Sequence, residues 1–247
     1  LGEGSEIDLG RKQSHYLLNV LRMRVGDGLL VFNGRDCEWQ AALSEAGKKT
    51  CLLAISGQTR AQPAPPDLRY LFAPLKQARL DYMVQKAVEM GAGHLTPVMT
   101  QYTQVNRVNI ERLRANAIEA AEQCGVLSIP EIDEPQKLDT LLNAWPADKA
   151  LIFCDEAKAG SDARGDLTAL RDRPLALLIG PEGGFSDGEA ASAEQAGFRL
   201  ATLGPRILRA ETATVAACSL VQHLYGDLRT APPRSPVSGD DNETLTP

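Results

Sequence analysis

The sequence predicts an α/β protein in two parts, a small β-rich module followed by a parallel sheet with helices on both faces. Three observations carry this reading. The stretch Gln58–Pro66, with Pro63, Pro65 and Pro66, has the composition of a linker. Before it, short apolar runs alternate with turn residues, as in a β-rich module. After it, strand-like and helix-like segments alternate, which is the pattern of a parallel sheet covered on both sides. The expected division is 1–62 for the first module, 67–228 for the second domain and 229–247 for a tail.

In the first module, His15–Met23 carries Tyr16, Leu17, Val20 and Leu21 at helical spacing. Strands are expected at Leu29–Asn33, closed by the turn pair Asn33-Gly34, then at Glu38–Leu43 and Thr50–Ile55. Together these suggest a small barrel. Beyond the linker, Leu68–Ala73 is a strand, and Lys76–Met90 is an amphipathic helix stopped by Gly91. Leu95–Met99 is a strand. Asn109 caps a helix that runs to Cys124 and ends at Gly125. Leu151–Cys154, Leu175–Ile179 and Leu200–Leu203 read as short buried strands. Ser186-x-x-Glu189 is a capping box opening a helix to Ala196, and Thr212–Tyr225 is the last helix. From Ala231 onward, Pro232, Pro233, Pro236, Gly239 and acidic residues predict a tail without a core.

Composition narrows the function classes. With 43% hydrophobic and 23% charged residues, the chain of 247 residues can bury a full core. No run of about 18 apolar residues exists to span a membrane, and Leu1-Gly2-Glu3-Gly4 lacks the pattern of a signal peptide. Five scattered cysteines without a C-x-x-C pair fit a reducing cytoplasm and support neither a disulfide framework nor a zinc site. Three separated histidines give no metal-binding spacing, so no metal is expected. The net charge of −6 disfavours a general nucleic-acid binder, but residues 1–66 hold eight Lys/Arg against seven Asp/Glu. Arg11, Lys12, Arg22 and Arg24 form a candidate RNA-binding patch there, or else a solvated charged face.

Two segments carry the chemistry. In the first, the strand Leu177-Leu178-Ile179 runs into Gly180-Pro181-Glu182-Gly183-Gly184-Phe185-Ser186 and a capped helix. Ligands bind at the carboxyl ends of parallel strands, and glycines let the backbone approach a ligand closely. The segment is neither a Walker A loop nor G-x-G-x-x-G; an ordinary tight turn is the other reading. The second is Leu203-Gly204-Pro205-Arg206-Ile207-Leu208-Arg209-Ala210-Glu211-Thr212-Ala213. Two arginines, an acid and a threonine in one connection need partners if buried; the other reading is that Glu211 or Thr212 only caps the last helix.

The pairing of I-G-P-E-G-G-F-S with L-G-P-R-I-L-R-x-E-T-A closely resembles the ribosomal RNA small subunit methyltransferase E family of the SPOUT superfamily. Ser14–Arg22 with Val25-Gly26-Asp27 is similar to that family's PUA-like N-terminal module, and Gln85–Gly91 and Glu119–Gly125 match further blocks. The resemblance covers nearly the whole chain. It implies a homodimer that uses S-adenosylmethionine to methylate N3 of one uridine in 16S ribosomal RNA, within the small subunit. It also implies a deep trefoil knot in the second domain, which periodicity cannot reveal. By the same resemblance the cofactor lies against Ile179, Gly180, Pro181, Glu182, Gly183, Gly184, Leu203, Gly204, Ile207 and Leu208, with Leu151–Asp155 as a third wall. The chain departs from the family at Thr100-Gln101-Tyr102-Thr103, where relatives commonly carry an acid followed by arginine, and at Val126, often arginine. It also begins after the family's usual first strand.

Methylation at N3 requires loss of the imide proton, which makes Glu182 and Glu211 candidate bases and Arg209 the candidate cation for the developing imidate. The residues leave two other readings open. One is a knotted ribose 2′-O-methyltransferase; the other is a catalytically silent ribosome-assembly factor that binds RNA.

Overall fold

A computed structural model describes residues 1–47, 50–154 and 175–229. The first module contains β1 (Glu6–Leu9), α1 (Arg11–His15), which continues into a π-helical turn at Tyr16–Val20, β2 (Gly28–Phe32), β3 (Glu38–Ala46) and β4 (Cys51–Arg60). The strands form an antiparallel sheet in the order β1-β4-β3-β2. Alternate residues point inward, so Ala41 and Leu43 meet Cys51, Leu53 and Ile55, and Leu9 and Leu17 close the same cluster. Ser14 is buried here because its hydroxyl donates to the Leu9 carbonyl (3.0 Å) and accepts from the Cys51 amide (3.1 Å).

Two sequence expectations change in this module. β1 is a strand that the apolar pattern does not contain, since only Leu9 of its four residues is buried. β4 runs to Arg60, so Gln58–Arg60 of the expected linker are strand residues paired with Trp39 and Glu38. Only the proline-bearing part beyond them is free of a ladder.

The second domain contains β5 (Leu68–Phe72), α2 (Gln77–Glu89), β6 (Ala92–Met99), α3 (Ile110–Cys124), β7 (Glu131–Ile132), β8 (Gln136–Lys137) and α4 (Leu138–Asn143). These are followed by β9 (Ala150–Cys154), β10 (Leu175–Ile179), α5 (Asp187–Gln195), β11 (Arg199–Ala201) and α6 (Ala210–Tyr225). The sheet order is β11-β9-β10-β5-β6-β7, with β8 also on β6, and every pairing is parallel. Because strand residues alternate, Tyr70, Phe72, Ile152, Leu177 and Ile179 face α2, α3 and α6. Leu71, Leu151, Phe153, Ala176 and Leu178 face α4 and α5. Helices therefore cover both faces, as the strand–helix alternation predicts.

Local capping follows the sequence closely. Asn109 accepts from the Arg112 amide, and Gly125 ends α3 in the left-handed conformation with φ 63°. Ser186 and Glu189 form a reciprocal capping box at α5. β7, β8 and α4 have no counterpart in the pattern reading, since two-residue strands and a six-residue helix are too short to display a period. The tail expected over 229–247 lies outside the described residues, apart from its first position.

One charged group joins the two parts. Arg60 bonds both oxygens of Glu38 (2.9 and 2.5 Å) and donates to the Gly125 carbonyl (3.0 Å) at the end of α3. Gln62 donates to the Leu127 carbonyl (3.3 Å). The Arg60 guanidinium holds the Glu38 carboxyl below the usual carboxylate range, and only 7% of that side chain is exposed. Arg60→Ala leaves a buried carboxylate without its partner and is expected to cost about 2–4 kcal/mol in a urea titration at neutral pH. A depressed carboxylate stabilises above its unfolded-state value, and that contribution is lost as pH falls through the lower folded-state value. The gap between wild type and Arg60→Ala is therefore expected to narrow under acid. A gap that stays constant with pH would contradict this.

Candidate functional site

β10 and β11 are parallel, so the loops that leave them emerge on the same edge of the sheet. Between them stands the carboxyl end of β9, at Cys154. The loop after β10 is stiffened at each step. Gly184 adopts φ 68°, a left-handed conformation favouring glycine, and its amide donates to the Pro181 carbonyl (2.9 Å). The Phe185 ring packs where a Gly180 side chain would go, 2.7 Å from an added Cβ, and lies 4.1 Å from the Phe153 ring centre. The Ser186 amide donates to Glu189 (2.9 Å), whose other oxygen accepts the Gln101 amide (2.7 Å). The glycine loop is thereby fastened to the turn after β6.

The loop after β11 turns at Gly204, φ 105°, and ends at Arg209, the N-cap residue of α6. Here the structure corrects the sequence reading. α6 begins at Ala210, so neither Glu211 nor Thr212 caps it, and Arg209 contributes no side-chain cap bond. Arg209 is exposed and has no ion-pair partner among the described residues, so it bears no burial cost. α6 is fixed from below instead. The buried Tyr70 hydroxyl meets the Thr214 hydroxyl (2.5 Å), which donates to the Ala210 carbonyl (2.8 Å).

The two loops enclose a cavity of about 360 Å³, within the range of small-molecule sites. Of the sequence-predicted residues, Ile179, Gly180, Pro181, Glu182, Gly183, Gly184, Leu203, Ile207, Leu208 and Arg209 line it. Gly204 turns the chain without lining the cavity, and Glu211 sits behind the wall. Cys154 supplies the third wall, whereas Asp155 lies outside the described residues. Burial pushes the Cys154 thiol up to about 12, so it stays protonated and is no nucleophile at neutral pH.

Sequence reasoning misses Arg79, which organises the site. From the first turn of α2 it donates to Glu182 (2.6 Å) and grips Glu211 through two bonds (3.2 and 2.7 Å). It thus links the glycine loop to the start of α6. The only available signal was its position, in the helix turn just after β5, because its partners lie more than 100 residues away. Arg206, Phe185 and Ala213, which belong to the same two segments, also line the cavity.

Arg11 and Lys12 lie on α1, and Arg22 and Arg24 follow its π-helical turn. All four are exposed and unpaired among the described residues, Arg22 with a left-handed φ of 56°. The structure brings none of them into the cavity.

This architecture, a PUA module ahead of a parallel sheet with its cavity at the strand ends, is that of an RNA methyltransferase. Residues 62–222 match the family profile described as RNA methyltransferase domain, and residues 9–56 match RNA methyltransferase PUA domain. Ribosomal RNA small subunit methyltransferase E of Rickettsia conorii is 31% identical over 227 residues, covering 91% of this chain and 92% of that protein. Its counterpart in Buchnera aphidicola subsp. Schizaphis graminum is 30% identical, over 90% of this chain and 92% of that one. The crystal structure of the Neisseria gonorrhoeae enzyme of the same name, bound to S-adenosyl methionine, superposes with a TM-score of 0.83 at 28% identity, covering 92% and 95% of the two chains. The chain belongs to the ribosomal RNA small subunit methyltransferase E family.

Arg79 lowers the Glu211 carboxyl below the ordinary range, mainly by hydrogen bonding. This pair stabilises the fold at neutral pH, and its contribution fades as pH falls through the folded-state value. In Arg79→Ala, an NMR titration is expected to find Glu211 shifted back up toward an ordinary carboxyl. Because Arg79 is 38% exposed, the variant should lose no more than about 1 kcal/mol of stability. An unmoved Glu211 would show that other groups set its charge.

Proposed function

We propose that this protein methylates N3 of a uridine in 16S ribosomal RNA, in the context of the small subunit, using S-adenosylmethionine. The observation that carries the reading is the convergence of the Gly180–Gly184 loop and the Leu203–Arg209 loop on one cavity, in a chain of this family. The residues present fit the cofactor. Ile179, Ala201, Leu203, Leu208 and Ala213 offer apolar surface for a purine, and the glycine loop brings backbone groups to the wall. Glu182, at the same wall, is compatible with a cationic sulfonium. When bound, the cofactor supplies an electrophilic methyl carbon.

The chain's own residues then have the tasks of positioning the base and handling one proton. Holding the acceptor in line contributes about 7–11 kcal/mol in favourable cases. Glu211 is a poor base, because two bonds to Arg79 already occupy its carboxylate. Glu182 has a single bond to Arg79 and is 40% exposed, which favours it as the group that accepts the N3 proton. Arg209, exposed at the cavity and free of an ion pair among the described residues, is the cation placed to meet charge developing on the uracil oxygens.

The module at 1–62 is assigned to RNA binding through Arg11, Lys12, Arg22 and Arg24, and the domain at 67–228 to catalysis. We read the first sheet as part of a PUA-like barrel and the second domain as the knotted SPOUT fold. In support, the chain leaves the sheet at β11 and returns across β9 to line the cavity with the β10 loop, before α6 packs on α2. A homodimer is favoured by α6, where Val215, Ala216 and Leu220 are only partly buried while Val221 belongs to the core. A cytoplasmic location goes with this reading, and the five free cysteines are consistent with a reducing compartment.

Purified protein, methyl-labelled S-adenosylmethionine and small subunits lacking the modification are expected to give one labelled uridine, with the methyl group on N3 by mass spectrometry. Arg209→Ala is expected to slow this by about 10²–10³-fold, with unchanged melting temperature and cofactor affinity. Label on a ribose 2′-oxygen would instead establish the 2′-O reading, and no label would favour the silent assembly factor.

A further inference from the structure

The turn after β6 holds an aromatic side chain that the proposed chemistry leaves unused. Tyr102 is 45% exposed, and its Cβ lies against the glycine loop, 3.3 Å from where a side chain on Gly183 would begin. The turn that carries it is rigid. The Thr100 amide donates to the Thr103 hydroxyl (2.9 Å), the two threonine hydroxyls bond each other (2.9 Å), and the Thr103 amide donates to the Thr100 carbonyl (3.2 Å). The Gln101 amide is tied to Glu189, so the capping box of α5 fixes the turn relative to the cavity. Among the described residues no ring and no cation packs on Tyr102, whereas the comparably exposed Tyr82 carries Lys86 over its ring.

A large apolar ring held in the open by four hydrogen bonds does not serve the core. It is available to a partner with a flat face. RNA bases that are read singly are unstacked from their neighbours and restacked on aromatic side chains. We infer that Tyr102 is a stacking platform for an unstacked base of the RNA substrate, beside the glycine loop. This rests on the RNA methyltransferase reading above. Stacking is indifferent to base identity, so the platform contributes affinity and position, and discrimination is left to other groups. Its contact is made in the ground state as well as during transfer, so its loss appears in KM for RNA more than in kcat.

The test is steady-state kinetics on small subunits lacking the modification, together with the affinity of the full-length protein for a fluorescent 16S-derived oligonucleotide containing the target. Tyr102→Ala is expected to raise KM and weaken RNA binding by about ten- to a hundredfold. Its kcat should stay within about threefold, and cofactor affinity and melting temperature should match wild type. Tyr102→Phe and Tyr102→Trp are expected to restore both RNA readouts, and the added tryptophan should be quenched on RNA binding. Unchanged RNA affinity in Tyr102→Ala, or failure of both aromatic replacements, overturns the platform. Loss of melting temperature or of cofactor binding makes Tyr102 a prop for the glycine loop and overturns it as well. Wild-type protein that binds the oligonucleotide without methylating subunits refutes the proposed function instead, and the binding arm still decides on Tyr102.

Discussion

Arg79 stands at the centre of this structure because it ties the glycine loop to the start of α6, the two segments that flank the cavity. The parallel sheet brings the ends of β10 and β11 to one edge, but it sets no distance between the segments that follow them. A planar guanidinium with five donors does. It grips Glu211 at the start of α6 through two bonds and reaches Glu182 in the glycine loop with a third. The acid it occupies twice loses its value as a base, and the acid it occupies once retains some. One interaction thus sets the shape of the site and separates two carboxylates that look equivalent in sequence.

The floor beneath that interaction is a buried polar contact. Tyr70 on β5 is fully buried, and burial pushes its hydroxyl well above the ordinary range, so it stays protonated as a donor. It meets Thr214 one turn into α6, and Thr214 bonds back to Ala210. The start of α6, and with it the direction of Arg209, is therefore referenced to the central strand. A hydroxyl pair of this kind would be costly if half-satisfied, which gives α6 a unique seat on an otherwise apolar surface.

Much of this was legible in the sequence because it is local. The capping box at Ser186 and Glu189, the cap at Asn109, the stop at Gly125 and the strand Leu175–Ile179 all follow from short-range chemistry. The two motif segments were legible as candidate ligand loops because they carry glycines and charges at the carboxyl ends of parallel strands, although a tight turn and a helix cap remained the other readings. What stayed hidden depends on tertiary distance. Arg79 meets partners over 100 residues away, and Tyr102 meets Gly183 only because β6 and β10 lie two places apart in the sheet. Arg209 illustrates a different failure: the charges of its connection would need partners if buried, yet the helix expected from Thr212 starts at Ala210 and leaves Arg209 exposed at its N-cap.

The proposed activity requires that the two loops form one binding site for S-adenosylmethionine, and calorimetric titration of that cofactor into wild type and Gly183→Val tests this most directly. A branched side chain at Gly183 would begin 3.3 Å from the Tyr102 Cβ and so push this stretch of the cavity wall out of place. The predicted result is saturable binding, one cofactor per chain, to wild type, with binding lost in a variant that unfolds at the wild-type temperature. Absence of heat at millimolar cofactor with wild type, or equal affinity in the variant, would contradict it.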